Sequence, residues 1–466
     1  CISTPKMVAV SQDPNINLLT YSELESVTGT VGDFKVTIRQ HPRYVDLNKC
    51  IGCGLCMEKC PVKVISEFDE QLGNRKAIYR YSPQSVPNIP VVDEQNCRVL
   101  QGKKCGACAK FCPTKAIDFD QAESGLCFKV GSIIVATGYD MFDPSQLKQY
   151  GYGLYEDVYT ALQFERLNNA TGPSGGKIVL KNGEAPQSVA ILHCVGSRDV
   201  NHHDYCSRVC CMYALKYAHL LHEKVGPQTR VYNFYIDLRC FGKGYEEFFH
   251  RVQKEGTIFI RGRPAEISKA AQSEEEEGKL IVVSEDTLLG KKLRIPVDMV
   301  ILCPAVEPCR DAAKLCRQLG LTQGQDGFFL EEHPKLGPVT TAIDGVYLAG
   351  SCQGMKDIPD AVSHAAGAAA QSLALASRGQ VDISPVTAAI DPDVCIGCRT
   401  CIDLCAYTAI EFDERRGVSV VNEALCKGCG SCAGFCPSGA AQVKHFSEKQ
   451  VFAELEGLMA KDLESA

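Results

Sequence analysis

The chemistry of this sequence is concentrated in its thiols, with 27 cysteines in 466 residues. Sixteen of them form two blocks with Cys-x-x-Cys spacing. The first is Cys50, Cys53, Cys56 and Cys60-Pro61, followed by Cys97, Cys105, Cys108 and Cys112-Pro113. The second is Cys395, Cys398, Cys401 and Cys405, followed by Cys426, Cys429, Cys432 and Cys436-Pro437. In a chain this long such spacing points to metal ligation, not to disulfide cross-links. Three tightly spaced thiolates followed by a fourth hold a four-iron cluster, and in a two-cluster run the fourth cysteine ligates the other cluster. The expected ligand sets are therefore Cys50, Cys53, Cys56 with Cys112, and Cys97, Cys105, Cys108 with Cys60. The second block gives Cys395, Cys398, Cys401 with Cys436, and Cys426, Cys429, Cys432 with Cys405. A pair of zinc knuckles is the competing reading of each block. Three departures are visible: an insertion in 57–96, seven residues between Cys97 and Cys105, and Ala406 where a proline is usual.

A third thiol group lies between a predicted strand, 188–195, and a predicted helix, 212–223. It runs His193-Cys194-Val-Gly-Ser-Arg-Asp and then Tyr205-Cys206-Ser-Arg-Val-Cys210-Cys211. In a protein with two dinucleotide-binding domains, this strand-turn-helix position carries the glycine loop for a nicotinamide cofactor. Gly196 is the only glycine in the turn, so that reading fails. Three others stay open: an iron–sulfur site ligated by Cys194, Cys206, Cys210 and Cys211, with Cys1 as a further candidate; redox thiols, although vicinal Cys210-Cys211 is strained as a disulfide; and structural or zinc-binding thiols. The remaining cysteines, Cys127, Cys240, Cys303, Cys309, Cys316 and Cys352, are expected to be small buried apolar residues.

The elements around these thiols read as α/β. Residues 130–140 form a buried-strand pattern ending in Ala136-Thr137-Gly138, small residues that let a flat or phosphorylated ligand approach the backbone. Their counterpart is 341–350, followed by Ser351-Cys352-Gln353-Gly354 and a helix from Asp360. The two segments resemble FAD enzymes of the glutathione-reductase and thioredoxin-reductase type. That likeness implies flavin contacts at Ala136, Thr137, Gly138, Gly350, Ser351, Lys356, Ile358, Pro359 and Ala365, with a helix N-terminus facing the ring. Ser351 stands where those enzymes carry an aspartate. Lys356 is a candidate flavin tuner, with a solvated loop charge as its alternative reading; no catalytic residue is otherwise assigned.

Strands at 188–195, 230–236, 256–261 and 279–284 predict a doubly wound unit, and 27–39 a hairpin turning at Gly32-Asp33. The acidic run 274–277 reads as a solvated hairpin tip, and 448–460 as an amphipathic helix packing on the last cysteine block. An apolar fraction of 45%, a charged fraction of 23% and a net charge of -7 describe an ordinary globular chain with no basic face for nucleic acid. No apolar run reaches transmembrane length, the most apolar helix, 361–376, being interrupted by polar residues. Thiol usage of this kind suits a reducing, anaerobic cytoplasm.

Taken together, an inserted and an appended ferredoxin module, Cys-Val-Gly-Ser-Arg-Asp, Tyr-Cys-Ser-Arg-Val-Cys-Cys and the opening Cys1-Ile-Ser-Thr-Pro-Lys-Met closely resemble the A subunit of heterodisulfide reductase, over essentially the whole chain. The resemblance implies a thioredoxin-reductase-like FAD flavoprotein with one inserted and one C-terminal two-cluster ferredoxin domain (α+β). The expected division is 1–45, the remainder of an FAD-binding domain; 46–122, the inserted module; 123–180, the FAD domain continued; 181–300, the second dinucleotide-type domain; 301–385, the FAD return; 386–445, the C-terminal module; and 446–466, a helix. The implied function is an FAD and iron–sulfur electron hub, electron-bifurcating in some members, with four clusters, and a fifth on the iron–sulfur reading of the third thiol group. Implied partners are a chain or segment supplying the N-terminal FAD-binding part, B- and C-like heterodisulfide reductase subunits, a small iron–sulfur subunit linked to a hydrogenase or formate dehydrogenase, and ferredoxin. The alternatives are an A-like component of a quinone-interacting oxidoreductase or an aromatic acyl-CoA reductase, and a flavin-free electron-wiring scaffold.

Overall fold

The computed structural model describes residues 2–381, 384–407, 409–423 and 425–464. Its largest core is a five-stranded parallel sheet in the order Val158–Thr160, Met299–Pro304, Ser188–Val195, Arg230–Tyr235, Ile258–Arg261. The middle strands are near-continuous apolar runs because both faces are covered. Helices Ala161–Asn168 and Cys210–Lys224 pack on Val189 and Ile191. An antiparallel meander packs on Ala190 and Leu192 through Ile267, Val282 and Val297. The sheet thus draws its edge strand from upstream of residue 181.

Two sequence expectations are corrected in this unit. The predicted strand at 279–284 is not part of the parallel sheet but the centre of the meander Glu266–Ser268, Leu280–Asp286, Lys291–Val297. The reason is the turn after Asp286, where Gly290 N–H donates back to the Asp286 carbonyl at 2.8 Å; a chain returning so soon can only pair antiparallel. The acidic run is not a solvated tip throughout: Glu276 is buried and accepts two hydrogen bonds from Arg294, at 3.0 and 2.8 Å.

The predicted hairpin forms as Ser22–Thr28 with Phe34–Gln40, and Ser124–Val130 adds a third antiparallel strand. Immediately afterwards Ile133–Val135 pairs in parallel with Val346–Leu348. Helix Ile358–Arg378 follows that second strand, capped by Asp357, whose carboxylate accepts from Asp360 N–H at 2.9 Å.

The first cysteine block is a compact module of short strands and two short helices, Leu55–Lys59 and Ala107–Lys110. Its insertion is the module's tether. Arg166, on the helix Ala161–Asn168, donates to Asp69 Oδ1 at 3.0 and 2.9 Å, and Gln163 donates to the Glu70 carbonyl at 3.1 Å. Charge-assisted bonds of this kind contribute about 1.5–3 kcal/mol. Arg166→Ala is therefore expected to free the insertion and raise proteolytic cleavage within 66–76 while the sheet core stays intact, as limited proteolysis with mass mapping would show. The C-terminal module meets the body through Lys427 and Asp344, at 2.6 Å, across a cavity of about 350 Å³ lined by Thr28, Arg317 and Ile343.

The helix Glu448–Glu464 does not pack as expected: its described side chains, through residue 459, are all exposed, including Phe452 and Leu455. Among the described residues no helix is long and apolar enough to cross a membrane.

Candidate iron–sulfur centres and flavin cradle

In the inserted module the thiols gather in two groups. Burial pushes the Cys56 thiol up to about 11, and its thiol neighbours are Cys50, Cys53 and Cys112. Burial likewise pushes Cys108 up to about 11, among Cys97, Cys60 and Cys105. The fourth cysteine of each motif thus stands with the other motif's triplet. Cys112 Sγ accepts the Ala116 N–H at 3.2 Å. In the C-terminal module Cys398 faces Cys436, while Cys432 faces Cys426, Cys429 and Cys401. Among the described residues no three His, Cys, Asp or Glu side chains converge tightly enough for a single metal ion.

The third thiol group is built by a break in the sheet. Strand Ser188–Val195 pairs with Met299–Pro304 up to Leu192 and Leu302, loses register, and resumes at Val195 and Pro304. Cys194 lies in the break with a left-handed φ of 58°, which turns its side chain out of the ladder. Cys210 and Cys211 open the helix Cys210–Lys224, whose N-terminal N–H groups favour anionic sulfur. Cys194, Cys210 and Cys211 are buried and adjacent. The Cys210 S–H donates toward both neighbours, holding the Cys194 and Cys211 thiols well below the usual range and raising its own. Cys206 sits at the rim, half-buried, accepting the Arg208 N–H at 3.3 Å. Arg198, which is paired with Asp237 at 2.7 Å, has both Cys194 and Cys206 as near neighbours. Cys1, the further candidate ligand, lies outside the described residues.

Gly196 has a structural task in this loop. Its φ is 78°, and a Cβ there would stand 2.5 Å from the Phe142 ring. Gly196→Ala is expected to cost about 2–4 kcal/mol from overpacking and left-handed strain, measured as a fall in Tm.

Three polar residues on or near the strand Ser188–Val195 are not assigned as site residues from the sequence. Arg263 donates to the carbonyls of Cys194 and Ser197, at 2.8 and 2.6 Å. His193 is 3% exposed, and neither ring nitrogen has a hydrogen-bond partner. Asn233, on the neighbouring strand, is fully buried with its amide unpaired. Such orphans cost about 1–3 kcal/mol each. His193 alone had a sequence signal, its adjacency to Cys194.

The predicted flavin segments come together. The register Ile133–Val346, Ile134–Tyr347 and Val135–Leu348 sets Ala136-Thr137-Gly138 beside Ala349-Gly350-Ser351, at the carboxyl ends of two parallel strands. Gly138 and Gly350 both have φ 74°, and a Cβ at Gly138 would meet nothing within 4 Å. This open, small-residue cradle fits a flat cofactor. His364, on the first turns of Ile358–Arg378, accepts the Gly350 N–H at 3.0 Å and faces the Pro338 carbonyl at 2.8 Å. Ala361 faces Gly350, and Ala365 lies one turn further along that stripe, exposed, as are Ile358 and Pro359. Lys356 is half-buried and bonded to Gln353, and burial pulls its ammonium pKa down.

The thiol loop and the cradle are joined. Arg208 donates to Asp360 and, at 3.3 Å, to the Met355 carbonyl; Tyr245 donates to the capping Asp357 at 2.7 Å. On the other side Tyr205 donates to the Val306 carbonyl at 2.9 Å, and Val306–Pro308 pairs with Tyr139–Met141 just beyond Gly138.

The other cysteines divide. Cys303, Cys316 and Cys352 are buried as expected, Cys352 donating to the Val135 carbonyl at 3.2 Å. Cys127 is exposed, and Cys240 and Cys309 are half-buried, which corrects that expectation for these three. Cys127 lies on Ser124–Val130, an edge of its three-stranded sheet, which leaves it open to solvent. Cys309 lies beside Thr137, its Sγ donating to Oγ1 at 3.2 Å.

An α/β body with a thiol loop against a cofactor cradle and two cysteine-cluster modules defines a component of an iron–sulfur oxidoreductase. A 4Fe-4S dicluster domain matches residues 388–443, and a 4Fe-4S binding domain matches 43–66. The chain is 48% identical over 462 residues to the A subunit of the H(2):CoB-CoM heterodisulfide,ferredoxin reductase of Methanothermobacter thermautotrophicus, covering 98% of this chain and 68% of that one. It is 47% identical to the iron-sulfur A subunit of the CoB–CoM heterodisulfide reductase of Methanocaldococcus jannaschii, covering 98% and 69%. The chain belongs to the family of heterodisulfide reductase A subunits. It also overlaps the thioredoxin reductases of T. acidophilum and Lactococcus lactis. Identities are 15% and 20%, coverage is 54% and 56% of this chain and 67% and 68% of those, and TM-scores are 0.33 and 0.34. At that level of overlap the fold stands on its own strand order.

Proposed function

We propose that this chain is the electron hub of a heterodisulfide-reductase-like complex, with FAD in the cradle at Ala136-Thr137-Gly138 and Gly350-Ser351. In this reading four-iron clusters occupy the four ligand sets of the two modules, and a fifth is held by Cys194, Cys206, Cys210 and Cys211. The observation that carries it is the direct connection of thiol loop to cradle through Arg208, which donates to Asp360 and to the Met355 carbonyl. FAD supplies the exchange between two-electron and one-electron carriers. The chain's own part would be to hold it: the Gly138 and Gly350 turns would admit the cofactor, and Lys356, just before the helix Ile358–Arg378, would place its ammonium beside it. With those groups bound, the two modules would offer separate exits for single electrons, one toward a high-potential and one toward a low-potential acceptor.

In this reading a further partner segment would complete the cradle. The helix Ile358–Arg378 buries only Ala368, and a cavity of about 680 Å³ lined by Val31, Ser132, Leu375 and Val381 opens beside it. A parallel pair of strands needs more strands and covering helices, which the N-terminal FAD-binding part would provide, on this chain or another. B- and C-like subunits, a small iron–sulfur protein of a hydrogenase or formate dehydrogenase, and ferredoxin would exchange electrons at the modules, in a reducing cytoplasm. Flavin and iron analysis of the purified complex tests the reading. It expects bound FAD and about twenty iron atoms per chain; absence of FAD would refute the hub, and about sixteen irons would remove the fifth cluster.

A further inference from the structure

Three arginines around the third thiol group have protein partners, although Arg198 Nη1 and Arg263 Nε are themselves unpaired. Arg198 pairs with Asp237, Arg263 holds the Cys194 and Ser197 carbonyls and Asp199, and Arg208 reaches across to Asp360. His193 differs from them. It is 3% exposed, both ring nitrogens lack a hydrogen-bond partner, and it immediately precedes Cys194 in the strand. It lies on the same face as Ile191, the face covered by the helix that Cys210 and Cys211 open. That face brings its ring among the thiols of the loop, with Cys194 next in the chain and Cys211 in the first turn of the covering helix. An imidazole always carries at least one N–H, and burying that donor without an acceptor is costly. A thiolate supplies the acceptor.

We propose that His193 donates a hydrogen bond to the Cys211 sulfur and so raises the reduction potential of the cluster at this loop. The inference rests on the reading of Cys194, Cys206, Cys210 and Cys211 as cluster ligands. Reduction adds negative charge to a cluster, and a hydrogen bond to its sulfur stabilises that charge. His193 is a positioning and tuning residue, bonded to a ligand and not to iron. The helix N-terminus acts on the same sulfurs but is fixed by the backbone, and Arg198, whose Nη1 is unpaired, neighbours Cys194 and Cys206; His193 is the replaceable donor on the Cys211 side.

The test uses the complex purified anaerobically, with the loop cluster's EPR signal identified by its disappearance in Cys210→Ala. Redox titration is run on the parent, His193→Leu and His193→Gln. At equal iron content, the leucine variant is expected to titrate at a more negative potential than the parent. The glutamine variant, which keeps an N–H, is expected between them. Equal potentials in all three would overturn the inference while leaving the cluster intact. A parent with about sixteen irons overturns the cluster reading itself, a distinguishable failure. Should the leucine variant lose its iron, pulsed EPR on the parent labelled with 15N-histidine decides. A weak nitrogen coupling that vanishes in His193→Gln supports the hydrogen bond. No coupling, or the strong coupling of a directly bound nitrogen, overturns it.

Discussion

Cys210→Ala is expected to strip about four iron atoms from each chain and to leave the two modules loaded. The substitution isolates ligation from packing. Cys210 is 1% exposed, wedged against the core that contains Ala214 and Ile191, so alanine fits the space and forfeits little more than one sulfur's contacts. The same change also removes the S–H that bridges Cys194 and Cys211. Cys303→Ala is the matched control: Cys303 is 0% exposed in the same core, beside Tyr213, but outside the thiol loop. Equal folding with iron lost only in Cys210→Ala identifies a ligand. If both variants retain full iron, the loop holds no cluster and the redox-thiol or structural reading takes over. Co-purifying zinc lost in place of iron would make it a zinc site.

How far the sequence discloses such a site depends on how local its geometry is. The cluster modules are legible because their ligands sit at fixed short offsets in one stretch of chain. Strand Ser188–Val195 and helix Cys210–Lys224 are legible because an unbroken apolar run and a helical period are local patterns too. Arg263 is not, since it reaches Cys194 and Ser197 from the far side of the sheet, 69 and 66 residues along the chain. Nor is the edge strand Val158–Thr160: three residues carry no period, and only its pairing with Met299–Pro304 makes it a strand. Glu276 looked solvated because its partner Arg294 arrives through a later strand of the meander. The exposed helix Glu448–Glu464 is the converse, with a local apolar stripe but no surface among the described residues to receive it.

If ligands cross between the two halves of the inserted module, as the grouping of its thiols predicts, a second large effect follows, readable without assigning any spectrum. Cys53→Ala and Cys112→Ala are each expected to remove about four irons, and the double variant still only about four, because both cysteines serve one cluster. Cys53→Ala with Cys60→Ala is expected to remove about eight. Non-additivity of this kind marks groups that act as a unit. The pairing follows from placement: Cys112 lies with Cys50, Cys53 and Cys56, while Cys60 lies with Cys97, Cys105 and Cys108. A module in which each motif kept its own fourth cysteine would invert the result, Cys53 with Cys60 losing about four irons and Cys53 with Cys112 about eight. Folding is expected to survive the single changes. The module stays anchored to the body by Arg166 and Asp69, and its cross-bridge between Val45 and Ile117 involves no cysteine. Crossed ligation would have a mechanical consequence as well. Each cluster would fasten the start of the module to its end, across the insertion that docks on Ala161–Asn168, so losing either one is expected to loosen the same tether.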